Sequence, residues 1–215
     1  MLNGPRLEAA AGASDALVVL LHGYGANGED LIALGHEWRG ALPRAAFAAP
    51  NAPEALPMAD MGGLQWFPLT MRDPSEYWRG ANAAGPLLAA FLEAELQRRR
   101  LPPGRLALVG FSQGTMMALQ VGLRLSPPPA AIVGYSGMLA GPEHLARASS
   151  QPAVLLVHGE QDDVIPVEAL DLAREALASH GYVVEWHRRP GLGHGIDATG
   201  LRLGGRFLAD ALRRS

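Results

Sequence analysis

Ser112 stands in a pattern typical of a catalytic nucleophile, at the centre of Gly110-Phe-Ser-Gln-Gly114. The apolar run at 105–109 predicts a strand before it, and residues 115–124 predict a helix after it. A serine in so tight a turn must adopt a strained backbone, and the flanking glycines let strand and helix approach closely. Its hydroxyl would project at the carboxyl edge of a sheet, where the Gln113 N–H faces developing negative charge. A glycine-flanked serine without chemistry fits the same five residues, so further residues must decide.

An acid follows the serine in the chain. A serine hydroxyl needs a base, and that base needs an orienting partner. The predicted strand at 151–158 runs into Gly159-Glu-Gln-Asp-Asp-Val-Ile-Pro166, which places a carboxylate at the carboxyl end of a strand. This position alone does not separate Asp162 from Asp163.

His194 is the candidate base among the seven histidines. It follows the last predicted strand, at 182–187, and lies between Gly193 and Gly195, where a loop can fold back over the edge of the sheet. The other histidines fit less well. His22 and His158 precede glycines at strand ends and are expected to brace turns, and the rest fall on predicted helices, helix ends or the last strand: His36, His144, His180 and His187.

A second oxyanion donor is expected from the loop after an early strand. The apolar run at 16–21 predicts a strand buried on both faces, and it ends in His22-Gly-Tyr-Gly25. The backbone N–H of Tyr24 is therefore the candidate partner for the N–H of Gln113. The Tyr24 side chain is the alternative, as part of a pocket wall.

Strands alternate with helices along the whole chain. This order predicts an α/β fold, with a mainly parallel sheet, helices on both faces and a single domain over residues 1–215. The predicted strands are 16–21, 45–49, 105–109, 130–135, 151–158 and 182–187. The predicted helices run from Asn27 or Gly28 to Trp38 and over 75–100, 115–124, 167–180 and 200–214, with a break near Gly85-Pro86 in the second.

The long stretch at 50–74 has no regular pattern and holds several prolines and the pair Gly62-Gly63. Long irregular loops in compact domains are usually functional. Its apolar side chains either hold the loop on the body or line a substrate pocket, with Trp66 the first candidate: Met58, Met61, Leu64, Trp66, Phe67, Leu69 and Met71. The interval at 136–151 is too short for a lid domain, so the site is expected to be open and shallow.

Composition excludes several classes of function. The net charge is -3 and the pI about 6.2, so no basic face favours nucleic acid or an anionic membrane. There is no cysteine and no lysine, which excludes thiol nucleophiles, serine-lysine dyads and Schiff-base enzymes. No signal-peptide pattern opens the chain, and the run at 16–21 is too short to cross a bilayer, so a cytoplasmic protein without stable membrane insertion is expected.

Four motifs together resemble the phospholipase/carboxylesterase family of small α/β-hydrolases: Leu21-His-Gly-Tyr-Gly-Ala-Asn-Gly-Glu-Asp30, Gly110-Phe-Ser-Gln-Gly114, Gly159-Glu-Gln-Asp-Asp-Val-Ile-Pro166 and Gly193-His194. The family includes bacterial carboxylesterases and eukaryotic acyl-protein thioesterases. Its Gly-x-x-Asp-x-x-Val-Pro pattern falls on Gly159, Asp162, Ile165 and Pro166, which selects Asp162 as the acid.

The resemblance implies an α/β-hydrolase fold without a separate cap domain, and a triad of Ser112, Asp162 and His194. It implies oxyanion amides at Tyr24 and Gln113, and no metal or organic cofactor. Gly62-Gly63-Leu-Gln-Trp66 resembles the family's tryptophan-bearing loop beside the pocket. The candidates for substrate binding are Trp66, Leu69 and Ile165. The chain departs from eukaryotic members at Thr115, where a glycine is common, and in having no cysteine.

These observations predict a serine carboxylesterase that acts on short- to medium-chain, small-molecule esters as a monomer or homodimer. Lysophospholipase and acyl-protein thioesterase activity are the alternatives within the same chemistry. A non-catalytic binding module on a hydrolase scaffold is the alternative from another class. A dehalogenase would need an acid at position 112 and a dienelactone hydrolase a cysteine, and the chain has neither.

Overall fold

A seven-stranded sheet organises the chain in the computed structural model, which describes residues 2–56, 63–70, 73, 75–148 and 150–214. The strands are β1 (Arg6–Leu7), β2 (Ala16–Leu21), β3 (Ala45–Ala48), β4 (Glu54–Ala55), β5 (Leu64–Gln65), β6 (Leu106–Phe111), β7 (Ala131–Tyr135), β8 (Ala153–Gly159) and β9 (Val184–Arg189). The α-helices are α1 (Gly28–Trp38), α2 (Ser75–Arg99), α3 (Gln113–Gly122), α4 (Glu168–Ser179) and α5 (Ala198–Arg214). Two 3-10 helices cover Pro103–Arg105 and Pro142–Arg147.

The main sheet has the strand order β1-β3-β2-β6-β7-β8-β9 and is parallel except for β1, which pairs antiparallel with β3. Register places Leu21 beside Gly110 and Phe111 beside Tyr135, so the carboxyl ends of β2, β6 and β7 lie next to one another. Strand β8 continues this edge beside β7. In open parallel sheets, ligands bind at such an edge, so the loops after these strands are where a site is expected.

Two apolar clusters cover the two faces of the sheet. The alternating residues of β2 explain its continuous apolar run, because Leu17, Val19 and Leu21 join the cluster under α2, α3 and α4. Their neighbours Ala16, Val18 and Leu20 join the opposite cluster under α1 and α5. The predicted α/β fold with helices on both faces is therefore confirmed.

Helix α1 begins as predicted. Asn27 is its N-cap, and the Asn27 side chain accepts hydrogen bonds from the N–H groups of Glu29 and Asp30. The Asp30 carboxylate accepts the N–H of Asn27 in return, which completes a capping box.

The predicted break in the second helix is wrong. Helix α2 continues through Pro86, and its buried face runs across the proline from Ala81 and Ala84 to Leu88. Proline removes one helical hydrogen bond. Packing of this face over the sheet and against α3 outweighs that loss, and Gly85 lies against Val121 of α3.

The 50–74 stretch is more regular than predicted. Strands β4 and β5 form an antiparallel two-stranded sheet within it, with Glu54 opposite Gln65. Met58, Met61, Gly62 and Met71 of the predicted pocket loop lie outside the described residues. The connection between β7 and β8 holds only the 3-10 helix Pro142–Arg147 among its described residues, and there is no separate cap domain in the part of the chain that the structure covers. Of the helices described, none combines the length and apolar character needed to cross a membrane.

Candidate active site

Ser112 lies in a sharp turn between β6 and α3. Its φ of 54° and ψ of -117° are strained for a residue with a side chain. Its N–H donates to the Tyr135 carbonyl at 2.9 Å, which fixes the turn to β7. A Cβ at Gly110 would collide with the Gly114 carbonyl, and one at Gly114 would collide with that of Leu21. Both glycines are therefore required by close backbone contact, as the sequence pattern predicted.

The side chain of Thr115 stabilises this turn. Its hydroxyl lies 2.8 Å from the Gly110 carbonyl oxygen and 2.9 Å from that of Tyr135. Gly134 and Gly137 leave room for it, because a Cβ at either position would press on the Thr115 side chain. The threonine at this position is thus accommodated without disturbing the turn.

Asp162 lies in the loop after β8 with its side chain fully buried. Its Oδ1 accepts the N–H groups of Val164 at 3.0 Å and Ile165 at 2.9 Å. Burial alone would raise the pKa of Asp162, but the hydrogen bonds from Ile165, His194 and Val164 outweigh it and leave the pKa below its usual value. Asp163, the other candidate acid, is exposed.

His158 supports the same carboxylate from β8. Its Nε2 lies 2.8 Å from the Ile165 carbonyl oxygen and 3.2 Å from Asp162 Oδ2. Both partners are acceptors, so the proton of His158 resides on Nε2. His158 therefore braces the loop after β8, as its position before Gly159 predicted.

His194 faces Asp162. Its Nδ1 lies 2.8 Å from Asp162 Oδ2 and 3.0 Å from Oδ1. Because the carboxylate can only accept, Nδ1 carries the proton and Nε2 is left as a base. The His194 ring is 4.9 Å from the ring of Phe111, the residue before Ser112. The structure thus pairs the predicted acid with the predicted base and brings both to the edge that carries the serine.

Ser136 helps to hold the loop that carries His194. Its hydroxyl donates to the Gly195 carbonyl at 3.1 Å, and its φ of 44° shows a second strained serine on this edge. Gly159 allows Leu192 and Gly193 to approach closely, and the Gln161 N–H donates to the Leu192 carbonyl at 2.9 Å. Sequence reasoning missed Ser136, although a Ser-Gly pair directly after a buried strand was an available signal.

An ion pair links the two ends of the loop that carries His194. Arg189 at the end of β9 lies 3.0 Å from Asp197, just before α5. Asp197 also accepts the N–H of Gly200 at 2.6 Å, in the first turn of α5. The hydrogen bond from Arg189 is the main cause that lowers the pKa of Asp197, and the Gly200 N–H adds to it against the cost of burial.

Replacing Asp197 with asparagine is expected to lower the free energy of unfolding at pH 7 by about 0.5–1 kcal/mol, since the amide can keep the Gly200 bond but not the ion pair. A lowered folded pKa contributes stability above the unfolded pKa of about 3.9, and this is lost as the pH falls through the folded value. The gap between wild type and Asp197→Asn should therefore be constant from pH 8 to about 5 and shrink in more acidic solution. Urea unfolding across this range, with the exposed Asp163→Asn as control, measures the gap between the two proteins; a gap that widens in acid would contradict the assignment.

The predicted oxyanion loop passes beside the nucleophile. A Cβ at Gly23 would lie 3.2 Å from Ser112 Cβ, so the backbone that leads into Tyr24 approaches the serine closely. Tyr24 is 45% exposed. Gln113 is buried at the first position of α3. The structure thus brings both candidate amides to the neighbourhood of Ser112.

His22 anchors this loop as a neutral ring. Its Nδ1 lies 2.8 Å from the Gly23 carbonyl oxygen, and its Nε2 accepts the N–H of Ala52 at 3.0 Å. These partners place the proton on Nδ1. Burial lowers the pKa of His22, against smaller opposing effects of the Gly23 carbonyl and Asp30, which agrees with a neutral imidazole.

The three candidates for substrate binding are found in different environments. Trp66 is only 1% exposed, and its Nε1 donates to the His22 carbonyl at 2.9 Å. Leu69 is half-buried against the apolar cluster under α2 and α3. Ile165 is buried, and its backbone holds Asp162. Contact of these side chains with a substrate stays a prediction.

An apolar groove of about 460 Å³ opens between the start of α2, the segment after β7 and α4. Its walls include Tyr77, Trp78, Met138, Leu139 and Leu172. Met138 follows Gly137, which packs against the Ser112 carbonyl, so the wall of the groove adjoins the turn that carries the nucleophile; Ser112, Asp162 and His194 do not themselves line the groove. A volume of this size is typical of small-molecule sites.

Within the described residues, His, Asp and Glu side chains form no cluster of three that could hold a metal ion.

Comparisons with known proteins point to one family. The model of a family described as Phospholipase/Carboxylesterase matches residues 2–211. Acyl-protein thioesterase 1 of Gibberella zeae is 30% identical over 206 residues, which cover 88% of this chain and 88% of the relative. Esterase YpfH of Escherichia coli K12 is 28% identical over 199 residues, covering 92% of this chain and 82% of the relative. The crystal structure of esterase PE8 has a TM-score of 0.93 at 45% identity, and the match covers 98% of this chain and 99% of that one.

Proposed function

The chain belongs to the phospholipase/carboxylesterase family, and from this membership we propose that it is a serine carboxylesterase that hydrolyses short- to medium-chain esters through an acyl-enzyme. The observation that carries the proposal is the hydrogen-bonded pair of Asp162 and His194 at the sheet edge where Ser112 occupies its strained turn. A buried acid, a base with a free nitrogen and a nucleophile at one edge form the arrangement needed for acyl transfer.

In the proposed reaction, Ser112 Oγ bonds to the ester carbonyl carbon while His194 Nε2 takes the hydroxyl proton. The carbonyl oxygen becomes an oxyanion, which the N–H groups of Tyr24 and Gln113 stabilise; one such donor is worth about 2.7–4 kcal/mol in comparable sites. The bond to the alkoxy oxygen then breaks, and His194 gives its proton to the leaving alcohol. Water repeats the sequence on the acyl-enzyme and releases the acid.

Asp162 stabilises the cationic form of His194 during both steps. Its pKa, lowered by the hydrogen bonds of Ile165, His194 and Val164, keeps it ionised at the pH of the reaction. Because the same carboxylate binds Nδ1–H, it also maintains the tautomer that leaves Nε2 free. The acid therefore orients and stabilises the base without exchanging a proton itself.

The surroundings of the site support small, partly apolar esters. The groove of about 460 Å³ is lined mainly by apolar side chains and has a limited volume. No separate cap domain covers the edge in the part of the chain that is described. We assign the groove to the apolar part of the ester, which favours short and medium acyl chains over triglycerides.

Hydrolysis of p-nitrophenyl esters from C2 to C12, with one palmitoyl thioester included, tests this proposal. We expect kcat/KM to be highest among the shorter chains and to fall at C12, because an open site without a separate cap domain encloses little of a long chain. A preference that rises continuously to C12 would contradict the assigned chain length. Activity restricted to the palmitoyl thioester would instead support the thioesterase alternative.

Thioester hydrolysis is the second candidate function because a relative with 30% identity over 88% of this chain is named acyl-protein thioesterase 1. The proposed oxyanion amides bind the same carbonyl oxygen in an ester and a thioester. The two activities therefore differ in the leaving group and the acyl chain, which the same assay compares directly.

A further inference from the structure

The side chain of Gln113 makes two buried hydrogen bonds that the proposed mechanism does not use. Its Oε1 accepts the N–H of Trp66 at 2.9 Å, and its Nε2 donates to the Phe67 carbonyl at 2.8 Å. The amide orientation is determined by these partners, since a backbone N–H can only donate and a carbonyl can only accept. The oxygen and the nitrogen of the Gln113 side-chain amide are thus both hydrogen-bonded to residues 63–67.

The same segment is bonded to the other half of the proposed oxyanion hole. The N–H of Gly25 donates to the Leu64 carbonyl at 2.9 Å, and the N–H of Leu64 donates to the Ala26 carbonyl at 3.0 Å. A Cβ at Gly63 would lie only 2.7 Å from the Gly25 carbonyl oxygen, so the two backbones are in close contact.

Trp66 adds a third bond to this loop. Its indole N–H donates to the His22 carbonyl at 2.9 Å, and its ring lies 5.6 Å from the His22 ring. His22 in turn is held through both ring nitrogens by Gly23 and Ala52. The Trp66 indole is therefore fully used as a structural donor inside the protein.

We propose that residues 63–67, which we name the oxyanion clasp, set the spacing between the amides of Tyr24 and Gln113, with the Gln113 side chain and the Trp66 indole as positioning groups. This inference rests on the proposed function, because it assigns a role to the same site. The clasp bonds to the loop on one side of the oxyanion and to the start of α3 on the other. Oxyanion donors act only when their positions match the developing charge, so a small change in spacing lowers transition-state stabilisation without changing ground-state binding.

The test replaces Gln113 with methionine, which keeps the length of the side chain and the backbone N–H but removes both clasp bonds. Gln120→Met is the matched control, because Gln120 is a buried glutamine on the same helix whose side chain bonds to Asn82 instead. We expect Gln113→Met to lower kcat about 10- to 100-fold, with KM changed less than about threefold. Gln120→Met should keep wild-type kinetics.

A trifluoromethyl ketone supplies a second readout, because addition of a serine hydroxyl to it creates a bound oxyanion. Its inhibition constant should rise in Gln113→Met by the factor by which kcat/KM falls. Trp66→Phe, which removes the bond to His22 together with part of the buried indole ring, should show a smaller loss in kcat of the same kind, and thermal unfolding verifies that each variant is folded. If Gln113→Met does not fold, the kinetics of Trp66→Phe test the proposal instead.

The outcomes separate the clasp from the proposed function. Wild-type ester hydrolysis that is lost in Ser112→Ala supports the function independently of the clasp. With that activity present, unchanged kcat and ketone affinity in both variants would overturn the clasp and leave the function standing. A raised KM with unchanged kcat would also overturn it, because the segment would then be a wall of the substrate pocket. A wild type with no ester activity would overturn the proposed function, and the clasp with it.

Discussion

Ser112→Ala is expected to lower kcat for ester hydrolysis by a factor on the order of 10⁴ to 10⁶ while the protein stays folded. The hydroxyl is the only group of the proposed mechanism that bonds to the substrate carbon, so no other side chain can replace it. The fold should tolerate the change, because the backbone bond from the Ser112 N–H to Tyr135 and the glycines of the turn do not involve the hydroxyl.

Ser150→Ala provides the matched control for Ser112→Ala. Ser150 is also a buried serine, but its hydroxyl donates to the Gly122 carbonyl at the far end of α3. Its replacement should cost stability of about 1 kcal/mol and leave kcat unchanged. Full activity in folded Ser112→Ala would contradict the mechanism.

Ser112→Gly adds a stability readout to the same experiment. The positive φ of Ser112 is unfavourable for a residue with a Cβ and favourable for glycine. We therefore expect the glycine variant to be inactive yet more stable than the alanine variant by about 1 kcal/mol in urea unfolding. That result would show that the strained backbone of this turn costs stability and is retained because it positions the Ser112 hydroxyl.

Asp162→Asn has the second-largest expected effect, a fall in kcat of about 10⁴-fold. The Val164 and Ile165 N–H groups both donate to Oδ1, so the amide oxygen must take that position. The amide nitrogen then replaces Oδ2 and points its hydrogens at His194 and His158. His194 Nδ1 has to accept, its proton moves to Nε2, and the base can no longer take the proton of Ser112.

Asp163→Asn is the control for this variant, since Asp163 is the adjacent carboxylate and is exposed. Its kcat should stay within about twofold of wild type, because the bonds that hold the Asp162 carboxylate come from other residues than Asp163 and exposed substitutions usually have small effects. Steady-state kinetics of the two variants at the same pH compare them. A larger loss in Asp163→Asn than in Asp162→Asn would reverse the choice of acid.

The parts of the fold that rest on local pattern could be predicted from the sequence. Burial on both faces of the sheet requires apolar residues throughout β2, and close backbone contact requires the glycines around Ser112. Both features can therefore be recognised from residue type alone. The choice between Asp162 and Asp163 was different, because it needed the family resemblance. In the structure, the two carboxylates differ in burial and hydrogen bonding, which local sequence does not record.

Features that depend on distant partners could not be predicted in this way. Strand β1 has only two residues and exists because it pairs with β3. Helix α2 continues through Pro86 because its face packs over the sheet and α3. The Gln113 side chain looked like part of a motif, and its bonds to Trp66 and Phe67 join residues far apart in the chain. Periodicity and turn patterns carry no information about such long-range contacts.

Trapping the acyl-enzyme tests the central claim most directly. The enzyme is mixed with excess p-nitrophenyl butyrate, quenched in acid within milliseconds to seconds, digested and examined by mass spectrometry. We predict the added mass of one butyryl group on the peptide that contains Ser112, formed at the rate of the p-nitrophenol burst and absent from Ser112→Ala. Turnover without this adduct, or with the butyryl group on another residue, would contradict Ser112 as the nucleophile.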